Sequence, residues 1–373
     1  MVEGRVMETG PELRGIVRRF TPNWFAVTMG TGGLALVLRQ VPGAGLDAPA
    51  LALWLLATVL FAVFSVLYAA RWILFPREAA RILAHPVMSM FLGTIPMGLT
   101  TVANGFLAFG PGLIGAAALP VALTLWAISA ALALACGLGV PYLMFTRQEH
   151  GLERMTAVWL LPLVAAEVAA AGAAGLAPHL AGGAAAAMVI GGYVLWALSV
   201  PLAMSVLALL FLRLALHRLP EAEVGPSAWL TLGPIGTGAL GLLLLGEAAP
   251  AAFAGGPLAA AGGAAFGLGI LGGLVLWGYG LWWLGLALLK TARYLRSGLP
   301  FSLAWWAFTF PLAVFTLATL ALGRLTGLGA FDLGGTLLAW LLAGLWLIVA
   351  TRTARGALRG TLFFSPCLAG APR

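Results

Sequence analysis

The sequence predicts an all-α, polytopic membrane protein, and three observations carry that expectation. Of 373 residues, 62% are hydrophobic and only 9% charged, where a soluble domain carries about 25%. Long apolar runs recur along the whole chain; a bilayer core about 30 Å thick needs about 20 apolar residues per helix, so this length holds roughly 10 to 14 spans. The 20 basic residues lie between those runs, not on one soluble face. A soluble fold of this size would need far more polar surface, scarcity of charge excludes a disordered chain, and 50 glycines without a triplet period exclude collagen. The net charge of +8 therefore belongs to membrane electrostatics, and no nucleic-acid partner is expected.

The chain divides into an arm (1–19), a transmembrane domain (20–351) and a tail (352–373). The arm mixes Glu3, Glu8 and Glu12 with Arg5, Arg14, Arg18 and Arg19, so no cleavable signal peptide is expected. Ten helices follow. Span 22–39 stops at Arg39, 50–70 lies between Pro49 and Arg71, 87–109 between Pro86 and Pro111, and 114–145 before Arg147. Next come 155–177 between Arg154 and Pro178, 184–212 between Gly183 and Arg213, and 228–247 between Pro226 and Pro250. The last three are 258–289 before Lys290, 301–322 between Pro300 and Arg324, and 334–351 before Arg352. Spans 114–145 and 258–289 exceed the bilayer, so they tilt or carry a re-entrant break.

Basic residues remain on the cytoplasmic side during insertion. With these ten spans, 18 of the 20 fall on the side of the N-terminus, and only Arg39 and Arg324 on the other. Both termini are therefore expected in the cytoplasm, in a multi-pass protein of the plasma (inner) membrane.

The spans repeat. Pro96, Pro162, Pro234 and Pro311 stand near the middle of four odd-numbered spans, 66, 72 and 77 residues apart, and a further step of 66 back from Pro96 reaches Gly30 in the first. This predicts five helical hairpins around a central pore, with the odd helices inside and kinked at Pro or Gly at mid-membrane. Polarity agrees: the odd spans hold 15 Ser, Thr or Asn residues against eight Ser or Thr in the even ones.

The run from Phe20 through Gly32 (FTPNWFAVTMGTG), His85-Pro86, Phe91-Leu92-Gly93-Thr94-Ile95-Pro96-Met97-Gly98, Trp159-Leu160-Leu161-Pro162 and Trp305-Trp306-Ala307-Phe308-Thr309-Phe310-Pro311 resemble the tellurite-resistance/dicarboxylate transporter family, which includes slow anion channels. The first two motifs most resemble its sulfite-pump branch. The resemblance implies a homotrimer in which each protomer moves small anions through its own five-helix pore, gated by a phenylalanine of the ninth helix. Sulfite-type oxyanion efflux or channel activity is the expected function. The alternative is proton-linked transport of a C4-dicarboxylate such as malate.

Candidate residues follow. Phe310 is bulkier than the residues before the other prolines, Ile95, Leu161 and Gly233, which suits a gate that closes by steric block and dewetting. Phe308 lies about 200° round the helix, so one of the two faces the lumen. Gly30, Thr94, Pro96, Pro162, Pro234, Thr309 and Pro311 are the expected pore-lining or kink positions. Glu167 is the one charged side chain deep in a span, where ionisation costs about 2.5–3.5 kcal/mol on insertion scales. Two readings stand for it: a proton-coupling site, or a neutral carboxyl bonded to a carbonyl freed by Pro162.

No Lys or Arg lies within a span, so anion preference falls to Thr hydroxyls, half-helix N-termini and the basic cytoplasmic mouth. Arg39 and Arg324 either attract anions at the outer vestibule or snorkel at helix ends. His85 is a helix-start residue. Cys136 and Cys367 match no disulfide or metal spacing, no cofactor is expected, and no Asp or His lies deep in a span to serve intramembrane catalysis.

Overall fold

A computed structural model describes residues 13–368; Glu3, Arg5, Glu8, Glu12 and Arg373 lie outside them. Among the described residues all regular structure is helical, and every expected span is present. The ten helices are α1 (Phe25–Gln40), α2 (Asp47–Leu74), α3 (Thr94–Ala108), α4 (Ala118–Thr146), α5 (Leu161–Leu176), α6 (Gly182–His217), α7 (Leu232–Phe253), α8 (Ala259–Ser297), α9 (Phe310–Thr326) and α10 (Gly329–Leu358). Nine of the ten segments are long and apolar enough to cross a membrane, and the first is not among them. Its 16 residues include Thr28, Thr31 and three glycines, the composition of an enclosed wall and not of a lipid-facing one.

One of the two long spans carries a break and the other does not. The break in 114–145 comes at its start, where Gly115 turns the chain at φ +57°, a left-handed conformation that suits glycine. The other, α8, is unbroken over 39 residues, about 58 Å, so it projects beyond a bilayer core instead of bending within it. Leu13–Arg19 of the arm is helical, and α10 runs on to Leu358 in the tail.

Odd and even helices occupy different places. The apolar windows of the odd segments from the third onward are 67–100% buried, those of the even segments 17–33%. In the odd set α1 packs on α3, α3 on α5, α5 on α7, α7 on α9 and α9 back on α1, a closed inner ring. Each even helix packs against both the odd helix before it and the odd helix after it, α10 reaching back to α1. The five hairpins expected from the repeat thus form one inner and one outer layer.

Every inner helix is a composite. Short 3-10 segments, Pro22–Trp24, Met88–Gly93, Ala157–Leu160, Ala222–Thr231 and Leu303–Phe308, lead into α1, α3, α5, α7 and α9. The four prolines occupy the first turn of the α-helical half: Pro96 in α3, Pro162 in α5, Pro234 in α7 and Pro311 in α9. A first-turn residue needs no N–H and tolerates φ near −65°, so proline starts an α-helix readily. The expected mid-membrane kink is accordingly a 3-10 to α junction nearer the N-terminal end of each inner segment. Gly30 marks no junction. It lies one turn inside an unbroken α1, where a Cβ would collide with Thr309 and Trp306.

Five tryptophans of the outer layer stitch the rings together. Trp54 of α2 donates its indole N–H to Val102 O of α3 (3.1 Å), Trp126 of α4 to Ala169 O of α5 (2.8 Å) and Trp196 of α6 to Gly238 O of α7 (2.9 Å). Trp277 of α8 donates to Thr319 Oγ1 of α9 (2.8 Å), and Trp346 of α10 closes the circle on Thr31 Oγ1 of α1 (3.0 Å). Each bond joins one hairpin to the next. Such a hydrogen bond is worth about 0.5–1.5 kcal/mol. Trp346→Phe should therefore lower the melting temperature in detergent, whereas Trp282→Phe, at a half-exposed outer position, should leave it unchanged.

Candidate functional site

The α-helical halves of the inner ring all begin around one central cavity of about 50 Å³. All five inner segments contribute to its wall, through Ala26 and Met29 of α1, Thr94 and Met97 of α3, Leu161 and Val164 of α5, Gly233 of α7, and Phe310 and Pro311 of α9, with further side chains from the 3-10 segments. None of the lining residues is charged. The first turns of five α-helices thus converge on an apolar chamber, with the junction N–H groups bonded to carbonyls of the 3-10 segments.

Of the expected lining positions, Thr94, Phe310 and Pro311 stand at this cavity. Pro96, Pro162 and Pro234 start their helices without reaching it, and Thr309 turns toward α1, packed on Gly30 and donating its hydroxyl to Trp306 O (2.7 Å). Phe310 is 4% exposed and forms part of the wall. Phe308 points elsewhere: its ring meets Trp229 and Trp305 edge-on, both at 5.5 Å.

The Thr hydroxyls of the inner ring are engaged within their own helices. Thr28, Thr31, Thr101, Thr237, Thr316 and Thr319 each donate to a carbonyl three or four residues back in their own helix. A buried hydroxyl with one proton satisfies the nearest carbonyl first, and in a helix that is the preceding turn. Thr94, at the cavity, has Phe91 O at 2.6 Å and Pro22 O at 2.9 Å as acceptors.

A second cavity of about 380 Å³ lies toward the C-terminal ends of α5 and α7, walled by Ala174, Leu244, Glu247 and Arg324 among others. It shares no lining residue with the first. Glu167 falls between them on α5, one turn beyond Val164 and two turns before Ala174. It is fully buried, and neither carboxyl oxygen has a partner among the described residues. The bond to a carbonyl freed by Pro162 does not form; that carbonyl, Val158 O, takes the N–H of Leu161 instead.

Arg39 and Arg324 are not free cations. Arg39 pairs with Asp47 at 3.0 Å and lies over the Phe109 ring, and Arg324 forms a two-point ion pair with Glu247 that ties α9 to α7. Cys136 and Cys367 are free thiols, and among the described residues no His, Cys, Asp or Glu cluster could hold a metal ion.

Residues 19–354 match the voltage-dependent anion channel family. The chain belongs to that family. It is 38% identical over 352 residues to the sulfite efflux pump of Arthroderma otae and, likewise, to that of Arthroderma benhamiae, with 93% of each chain covered in both cases. A malic acid transport protein of Schizosaccharomyces pombe is more distant, 23% identical over 359 residues, covering 93% of this chain and 81% of the relative. This anion channel family comprises transport proteins, and the chain is a multi-pass membrane protein that moves anions.

His85 sets the approach to the cavity. Its Nδ1 accepts the backbone N–H groups of Val87 and Met88, both at 3.2 Å, at the start of the 3-10 segment that carries Phe91 and leads to Thr94. Burial holds its imidazole below the ordinary value near 6.5, and only the unprotonated Nδ1 can accept. A depressed folded value means the unfolded chain binds the extra proton, so this contribution is present above about pH 6.5 and lost as pH falls through the folded value. The melting temperature should therefore drop between pH 7.5 and pH 5, and His85→Asn, which keeps a side-chain acceptor, should reduce that drop.

Proposed function

We propose that the axis of the inner ring is the anion pathway, and that Phe310 closes it. The observation that carries this reading is the convergence of five half-helix starts on one cavity whose wall includes Phe310. The substrate is a small oxyanion of the sulfite type, exported from the cell. A dicarboxylate calls for fixed cationic partners, and the cavity wall has none; similarity to sulfite efflux pumps supports the same choice. The assembly is a homotrimer of independent pores in the plasma (inner) membrane, with both termini cytoplasmic. The 18-to-2 division of basic residues supports that orientation.

Flux of sulfite, malate and chloride into liposomes tests the reading: sulfite should move fastest. Phe310→Ala should raise flux on the order of tenfold, the effect of removing about 1.4 kcal/mol from the barrier. Phe308→Ala should leave flux unchanged and lower stability by about 3–5 kcal/mol; a rise in flux from Phe308→Ala alone would reverse the assignment of the gate.

Proton-linked transport is the second reading, and the unpartnered carboxyl of Glu167 between the two cavities favours it. An isolated charge there would lack both water and a partner. Hydration of the pathway on opening would permit release of the carboxyl proton. Under this reading an imposed pH gradient drives sulfite accumulation in the wild type, and Glu167→Gln abolishes that drive while leaving downhill flux intact.

A further inference from the structure

Two cations of the N-terminal face share a pocket with no acid to neutralise them. Arg213, near the end of α6, is 5% exposed. Its guanidinium donates to the backbone carbonyls of Glu153 (2.7 and 3.2 Å) and Arg218 (2.7 Å), and it meets no carboxylate among the described residues. Lys290, near the end of α8, is half-buried and lies 5.5 Å over the Trp283 ring. No hydrogen bond or ion pair engages its ammonium among the described residues. Both line a pocket of about 20 Å³ between α6, α8 and the 3-10 start of α7, and no Asp or Glu contributes to its wall. Glu153, whose backbone carbonyl Arg213 engages, turns its carboxylate to Arg154 at 3.5 Å.

Burying two like charges near one another is unfavourable unless an opposite charge joins them. The pocket's position says what that charge reaches. Arg213, Thr156, Leu219 and Pro220 wall both this pocket and a wider groove of about 490 Å³ open on the N-terminal side, whose outer wall carries Glu149, Glu153 and Glu221 beside Arg154, so the acid-free part of the path is the pocket itself. On the inner side the pocket shares Ser227 with the central cavity, and the groove shares Val158 with it. The guanidinium has N–H groups beyond those already donated, and the ammonium has three.

We propose that Arg213 and Lys290 form a capture site for one small oxyanion, which holds the ion at the mouth of the inner ring before it enters the central cavity. This rests on the transport reading above. The pocket as it stands admits about one water, so the ion sits where the pocket meets the groove, with the flexible Lys290 side chain turning toward it. The phosphate of an anionic lipid has the same chemistry, and the experiment separates the two sources.

The full-length protein, purified in lipid-free detergent, is melted against increasing sodium sulfite with sodium gluconate holding ionic strength constant. Sulfite should stabilise the wild type. In Lys290→Gln the half-maximal concentration should rise about tenfold, the loss of one charge-assisted hydrogen bond, and Lys290→Arg should restore it. In liposomes the same variant should raise the KM for sulfite by a similar factor with the maximal rate little changed. An unmoved midpoint in Lys290→Gln overturns the site, as does stabilisation by added phosphatidylglycerol vesicles alone. Binding without flux of any anion would instead overturn the transport reading, so the two failures are distinct.

Discussion

Hydrocarbon cannot hydrogen-bond a peptide group, and the rest of this structure depends on that constraint. A helix facing lipid must bond all its own N–H and C=O groups. Each inner helix changes from 3-10 to α geometry next to its starting turn, and in four of them a proline sits in that turn. These junctions lie behind a protein shield. The five outer helices provide it, which explains why they are long and continuous while the inner ones are short and composite. Enclosure in turn permits polar and small residues on the inner ring, and these let it close tightly around a chamber.

The shield is also the clamp. Each outer tryptophan reaches past its own hairpin to the next inner helix, so the five bonds run in one rotational sense. Three of the acceptors are backbone carbonyls and two are Thr hydroxyls that already donate within their own helix. A hydroxyl spent on its preceding turn still has lone pairs to offer. The threonines therefore serve the wall from behind and not the lumen in front, and the chamber is left apolar.

Much of this layout was legible in the sequence because it rests on one-dimensional signals. Apolar length gave the ten segments, proline spacing the five-fold repeat, and the ratio of polar residues the inner set. The bulk of Phe310 beside Pro311 was enough to single it out for the cavity wall. The rest depends on pairs brought together from different helices. Arg324 and Glu247 are 77 residues apart, as are Arg213 and Lys290, and no periodicity joins them. The tryptophan stitches had a signal that went unused: Trp54, Trp126, Trp196, Trp277 and Trp346 recur at nearly the hairpin period. Thr309 misled because proximity to Pro311 says nothing about which way a side chain turns at a 3-10 to α junction.

The distribution of charge follows from what conduction needs. An ion must enter readily and leave readily, so a pathway with one deep well is slow. Here the fixed cations stand at the ends, and at the C-terminal end they are quenched by Asp47 and Glu247. The wall of the central cavity carries no charge at all. Charge left unquenched is concentrated on the N-terminal side, where Arg213 and Lys290 face no carboxylate. Under the proposed topology that side is the cytoplasm, so the gradient of fixed charge gathers anions inside and releases them outward. Placing a cation in the chamber itself would deepen binding at the cost of exit, and the cavity wall has none.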